Sequence, residues 1–125
     1  MNNQKLQRSR NRFEIITKVK IYEHIENQDN NRKGNLICDA ISWDISFSGI
    51  RIFTNNNAIS EQSVFVLEFS LLPTYTFIIP AKMVRKQRNI KNRSYSYDCG
   101  FQFDFTNRTI IQDKLISDIF KTISP

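Results

Sequence analysis

Asp44, Ser46 and Gly49 stand in the spacing Asp-x-Ser-x-x-Gly, and Arg8 and Arg12 in the spacing Arg-x-x-x-Arg. These are residue types of recognition chemistry. A carboxylate accepts hydrogen bonds, a hydroxyl donates and accepts, and glycine lets another group approach bare backbone. Guanidinium is planar, permanently charged and two-pronged. It grips phosphate, reaches N7 and O6 of guanine together, or stacks on a purine face. The Asp–Ser–Gly set also suits an Asx-type turn closed by glycine. Such a match arises by chance in roughly one chain in thirty of this length, so alone it does not separate binding from turn formation.

Catalysis has little to stand on. His24 is the only histidine, and it falls at a strand end beside a polar loop, which predicts a surface position. The chain has no Cys/His metal spacing, Gly-rich phosphate loop or nucleophile elbow. Carboxylate pairs close in sequence are also missing. The expectation is a binding module rather than an enzyme, with no catalytic residue, metal or cofactor. Cys38 and Cys99 lie in apolar runs without CxxC spacing, which predicts buried free thiols.

At 125 residues and 40% hydrophobic content, with ten Phe and four Tyr, the chain has the material for one domain with a real core. No apolar run approaches the ~18 residues that span a bilayer. The Asn-, Gln- and Arg-rich N-terminus does not read as a secretory signal, so a cytoplasmic location is expected. The net charge of +6 is concentrated in two acid-free basic blocks, residues 1–13 and 82–93. Both suit an anionic partner, most often phosphate, and both also suit plain solvated charge.

The elements that must position these residues follow from periodicity. Residues 1–12 lack apolar periodicity and read as a flexible basic arm, ahead of a single domain over 13–125. Phe13, Ile15, Thr17, Val19 and Ile21 alternate with polar residues as a half-buried strand. Residues 23–35 read as a loop, 36–43 as the second strand and 50–54 as the third. The Asp44–Gly49 stretch links these two, a hairpin signal. A fourth strand is expected over 64–71 and a fifth over 75–86, where Pro80 argues for an edge or a bulge. The sixth carries Tyr95, Tyr97, Cys99, Phe101, Phe103 and Phe105 on one face, with Ser96, Asp98, Gly100, Gln102 and Asp104 opposite. Beyond it, Ile111, Leu115, Ile116, Ile119, Phe120 and Ile123 recur at helical spacing, and Thr109-x-x-Gln112 matches a capping box. Antiparallel strands with one terminal helix indicate a small barrel or sandwich, the helix covering an open end or face.

Taken together, these features resemble the PilZ domain family. The resemblance rests on Arg8-x-x-x-Arg12 before an alternating strand and Asp44-x-Ser46-x-x-Gly49 about thirty residues later. It extends to Val84-Arg85 closing a strand, to Cys99-Gly100-Phe101-Gln102-Phe103, and to the terminal amphipathic helix. It spans residues 6–122. It implies an all-β fold with one helix, a six-stranded antiparallel barrel with a C-terminal amphipathic α-helix. It also implies a bacterial receptor for the second messenger cyclic di-GMP, which folds its arginine arm over the ligand and passes the change to a downstream protein partner. Arg8 and Arg12 would then contact phosphate and the guanine edge. Asp44, Ser46 and Gly49 would contact guanine and ribose, with Gln7, Arg10 and Arg85 as further ligand candidates.

There is one departure from the family pattern. Many members carry a longer arginine run, whereas Ser9 separates Arg8 from Arg10 here. Gln7 occupies the position that the family associates with one or two bound ligands. Two alternatives stand beside this reading: a small basic barrel stacking single-stranded nucleic acid on exposed aromatics, and a protein adaptor on a PilZ scaffold that has lost its ligand. Strict alternation of the aromatics speaks against the first, and two intact motifs against the second.

Overall fold

The computed structural model describes residues 12–25, 32–46, 48–57, 59–72, 75–90, 94–104 and 117. Seven strands form one antiparallel sheet: β1 (Phe13–Glu14), β2 (Lys18–Ile25), β3 (Arg32–Ile45), β4 (Gly49–Thr54), β5 (Val64–Leu72), β6 (Tyr75–Arg88) and β7 (Tyr97–Phe103). Their order is β1-β3-β2-β5-β6-β7-β4, and β3 pairs with β4 as well. The ladder β3-β2-β5-β6-β7-β4 therefore returns to β3, with β1 added on β3's edge.

The expected first strand is two strands. Four steps along the chain from Glu14 to Lys18 oppose only three on β3, from Asp44 to Ile41. The mismatch is absorbed at residues 15–17, where Ser42 replaces the missing regular ladder. Its buried hydroxyl accepts from the Thr17 N–H at 2.9 Å and donates to the Ile15 carbonyl. The predicted face survives the break: Val19 and Ile21 are fully buried, while Glu14, Ile16, Lys18 and Lys20 are exposed. The expected loop over 23–35 is shorter, because β2 runs on to Ile25 and β3 begins at Arg32.

Inside, Val19, Ile21, Ile45, Ile52, Leu67, Phe77, Ile79, Met83 and Cys99 have no exposed surface. Phe69 stacks on Phe103 with ring centroids 6.2 Å apart, and Phe65 meets Phe101 edge-on at 6.1 Å. Each such side chain contributes roughly 1.5–3 kcal/mol on leaving water, so these positions carry the fold. Both cysteines are free; burial pushes the Cys99 thiol up to about 11.

Two β-bulges interrupt the alternation next to the motif residues. On β3, Ser42 pairs with Ile52 and Asp44 with Arg51, so Trp43 is an extra residue. On β6, Met83 pairs with Phe101 and Arg85 with Gly100, so Val84 is extra. Ser42, Ile45 and Met83 are buried on the core side. Without the bulges, strict alternation from Ser42 and Met83 would send Asp44 and Arg85 inward. The inserted residues turn both outward instead, the re-aiming that bulges perform.

The expected C-terminal helix lies outside the described residues, apart from Ser117, which is helical. Among the described residues no helix is long and apolar enough to cross a membrane.

Candidate functional site

β3 ends at Ile45 and β4 begins at Gly49, and Ser46 ties the two together. The Ser46 N–H donates to the Gly49 carbonyl at 2.8 Å, and the N–H groups of Ser48 and Gly49 both donate to Ser46 Oγ, at 3.3 and 3.2 Å. Ser46 is buried, its hydroxyl engaged by its own turn, while Ser48 is exposed. Gly49 pairs with Gln102 of β7, and the Phe103 N–H donates to the Ser48 carbonyl at 2.8 Å. This packing leaves no room for a side chain: a Cβ on Gly49 would lie 2.2 Å from the Phe101 carbonyl oxygen. The close approach for which glycine is needed is made by β7.

Register places Asp44, Arg51, Gly100 and Arg85 opposite one another across β3, β4, β7 and β6. On this outer row the charges alternate. Arg12 Nη1 donates to Asp44 Oδ1 at 2.6 Å. Arg51 Nη1 lies 3.9 Å from Asp44 Oδ2. Arg51 also forks onto Asp98, Nε to Oδ1 at 2.9 Å and Nη2 to Oδ2. Arg85 Nη2 reaches Asp98 Oδ1 at 3.4 Å, its side chain crossing over Gly100. Trp43 stacks on Phe53 with centroids 5.3 Å apart, and the Arg51 guanidinium lies 5.8 Å from the Phe53 ring centre.

The two ends of this row differ in character. The Asp98 side chain is 3% exposed, so its charge needs its partners. Desolvation pushes its carboxyl up, but the hydrogen bonds and charge of Arg51, helped by Arg85, outweigh this and hold it below the usual range. The same pair raises the Arg51 guanidinium further. Arg12 is 57% exposed and Asp44 15%, and a pair so open to water is worth only about 0–1 kcal/mol. The Arg12–Asp44 contact therefore opens at little energetic cost.

Of the residues predicted from sequence, the structure joins Arg12 to Asp44, reaches Arg85 only through Asp98 and Arg51, and uses Ser46 and Gly49 in the turn that follows Asp44. Gln7, Arg8 and Arg10 lie outside the described residues, as does most of the basic arm. Sequence reading missed Arg51 and Asp98. Alternation puts Asp98 on the polar face of the last strand, yet it is buried beneath two arginines. Part of the second basic block is used internally: Lys86 Nζ donates to the Ile59 and Asn57 carbonyls at 2.9 and 3.2 Å. A cavity of about 470 Å³ is lined by Lys18, Lys20, Asp39, Ala40, Ile41 and Tyr95, none of them a motif residue. Among the described residues no cluster of His, Cys, Asp or Glu could hold a metal ion.

Comparison with known proteins bears on the fold and the family. No curated protein sequence matches the chain. Among solved structures, it superposes on the PilZ domain of Escherichia coli YcgR, determined with c-di-GMP, at a TM-score of 0.63 and 12% identity, covering 89% of this chain and 87% of that one. It also matches the Bacillus subtilis inhibitor of motility MotI/DgrA at a TM-score of 0.61 and 15% identity, covering 88% of this chain and 48% of that one. MrkH, described as a c-di-GMP-dependent transcription regulatory factor, matches at 0.50 and 16%, over 88% and 49%. The chain thus spans about half the length of the last two. At these identities the likeness is one of fold. The family model described as PilZ domain matches residues 6–121, and the chain belongs to the PilZ domain family.

Proposed function

We propose that this chain is a cyclic di-GMP receptor, with its ligand held between the arginine arm and the outer row of charges. The observation that carries this reading is the 2.6 Å contact of Arg12 with Asp44. It joins the last residue of the arginine motif to the first residue of the Asp-x-Ser-x-x-Gly motif, across 32 positions of sequence. Two phosphates and two guanines are what paired guanidinium groups and a small polar turn suit. The Arg12–Asp44 pair contributes little to folding, so both groups can be redeployed onto a ligand.

In this reading Arg8 and Arg12 take phosphate and the guanine edge, and Asp44 accepts from guanine N1–H and N2–H or orients a guanidinium. Ser46 and Gly49 hold the turn that presents Asp44, and Gln7, Arg10 and Arg85 flank the ligand. Residues 1–12 act as the arm and 13–125 as one domain, a closed barrel capped by the C-terminal helix. The response passes to a protein partner in the cytoplasm, without catalysis. YcgR, the structural neighbour solved with c-di-GMP, supports the ligand assignment by analogy of fold. Phe53, Phe65, Phe69, Phe77, Phe101 and Phe103 are buried, so these six rings are not offered as the stacking platforms that a single-strand binder uses.

The test is a titration against competitors. Cyclic di-GMP should bind near micromolar, about −8 kcal/mol, and more tightly than cyclic di-AMP, whose N6 donor replaces the O6 acceptor. Its salt dependence should be shallow, with two phosphates involved. Equal affinity for both dinucleotides, or tighter single-stranded DNA binding with a steep salt slope, would refute the assignment.

A further inference from the structure

Asp98 belongs to neither sequence motif, yet it is the only charged residue buried among the described ones. Arg51 stands between it and Asp44. Two of the three Arg51 nitrogens are committed to Asp98, and the third lies 3.9 Å from Asp44 Oδ2. Asp44 Oδ1 is left to Arg12 at 2.6 Å. A guanidinium is a rigid fork that grips a carboxylate best with two parallel bonds. Asp44 and Asp98 are the carboxylates within ion-pair reach of Arg51 among the described residues. Released from Asp98, Arg51 would turn its fork on Asp44 and cover the oxygens that Arg12 uses. Arg85, brought over Gly100 by the Val84 bulge, adds a second positive charge to Asp98 and helps keep it ionised.

We propose that Asp98 is a positioning residue of the ligand site: by engaging Arg51 it keeps Asp44 open to the arm and to the donors of a ligand. The proposal rests on the receptor reading above and adds a residue remote from both motifs. It makes Arg51 a competitor for Asp44 that a buried carboxylate restrains.

The test has a ligand-free half and a ligand half. Side-chain ¹⁵N relaxation of Arg12 is measured without ligand in wild type, Asp98→Asn, and the double variant Asp98→Asn/Arg51→Gln. Arg12 should be restrained in wild type, loosened in Asp98→Asn and restrained again in the double variant, which lacks the competing fork. Calorimetry with cyclic di-GMP on the same samples should show affinity falling at least fivefold in Asp98→Asn and recovering in the double variant. In an Asp44→Ala background, Asp98→Asn should change affinity by less than twofold. A merely structural carboxylate gives no recovery in the double variant and the same loss in both backgrounds, which would overturn the proposal. Should Asp98→Asn not fold, Asp98→Glu keeps the charge but pushes the fork toward Asp44, and should loosen Arg12 in the same direction. Unchanged Arg12 order in a folded Asp98 variant also overturns it. Wild type that fails to bind the messenger, with Arg12 order still governed by Asp98, refutes the receptor reading and upholds the positioning.

Discussion

A methyl group on Gly49 would lie 2.2 Å from the carbonyl oxygen of Phe101, well inside van der Waals contact. The obstacle is β7 backbone, which cannot rotate aside as a side-chain tip can. Gly49→Ala should therefore act on folding before it acts on any ligand. Overpacking of this kind costs about 1–3 kcal/mol. Urea unfolding should show the midpoint falling by that equivalent, and an unchanged midpoint would mean that β4 and β7 separate freely here.

Ser42 makes a parallel case in the other strand pair. Its buried hydroxyl serves the Thr17 N–H and the Ile15 carbonyl where β1 and β2 break. Ser42→Ala leaves both backbone groups without that partner, a cost of about 1–3 kcal/mol. Amide exchange at Thr17 should rise in the variant. Wild-type protection there would show that the break is held by other contacts.

These positions also show what the sequence could and could not disclose. Alternation named the buried faces at Val19 and Ile21 and at Phe101 and Phe103, because a strand with one wet face must repeat every second residue. It could not locate the bulges at Trp43 and Val84, since an inserted residue leaves the composition on either side unchanged. Those two insertions decide that Asp44 and Arg85 face outward with Arg51. Asp98 was illegible for another reason. Its burial depends on arginines from β4 and β6, a relation between strands that no single strand's pattern contains. The split of the first strand was hidden likewise, because it rests on Ser42 of the neighbouring strand.

Acid should act through Asp98. Its carboxyl is held below the usual value in the folded chain, while unfolded Asp titrates near about 3.9. A depressed folded value contributes stability that is present above the unfolded value and lost as pH falls through the folded one. The melting-temperature gap between wild type and Asp98→Asn should be widest above about pH 5 and should narrow progressively as pH falls below the unfolded value. A gap that stays constant across this range would show that Asp98 does not titrate against Arg51.

Core and site should separate cleanly in mutation. Phe103 is buried and stacked on Phe69, so Phe103→Ala should cost about 3–5 kcal/mol. Arg12 is exposed and, among the described residues, paired with Asp44, so Arg12→Ala should stay within about half a kcal/mol. Thermal melts of the two variants check the order, and a larger loss for Arg12→Ala would reverse the assignment of roles.

The central claim is that Asp44 reads a guanine-containing ligand rather than merely tolerating a nearby polyanion. A carboxylate beside a phosphate-binding surface repels, so for a non-specific polyanion binder Asp44→Ala should help or do nothing. For a guanine reader it removes a charge-assisted hydrogen bond worth about 1.5–3 kcal/mol, roughly ten- to a hundredfold in affinity. Calorimetric titration of wild type and Asp44→Ala with cyclic di-GMP, at matched melting temperature, decides between them. The account predicts micromolar binding by wild type and at least a tenfold loss in the variant. Equal affinities, or no heat from folded wild-type protein at tens of micromolar, would contradict it.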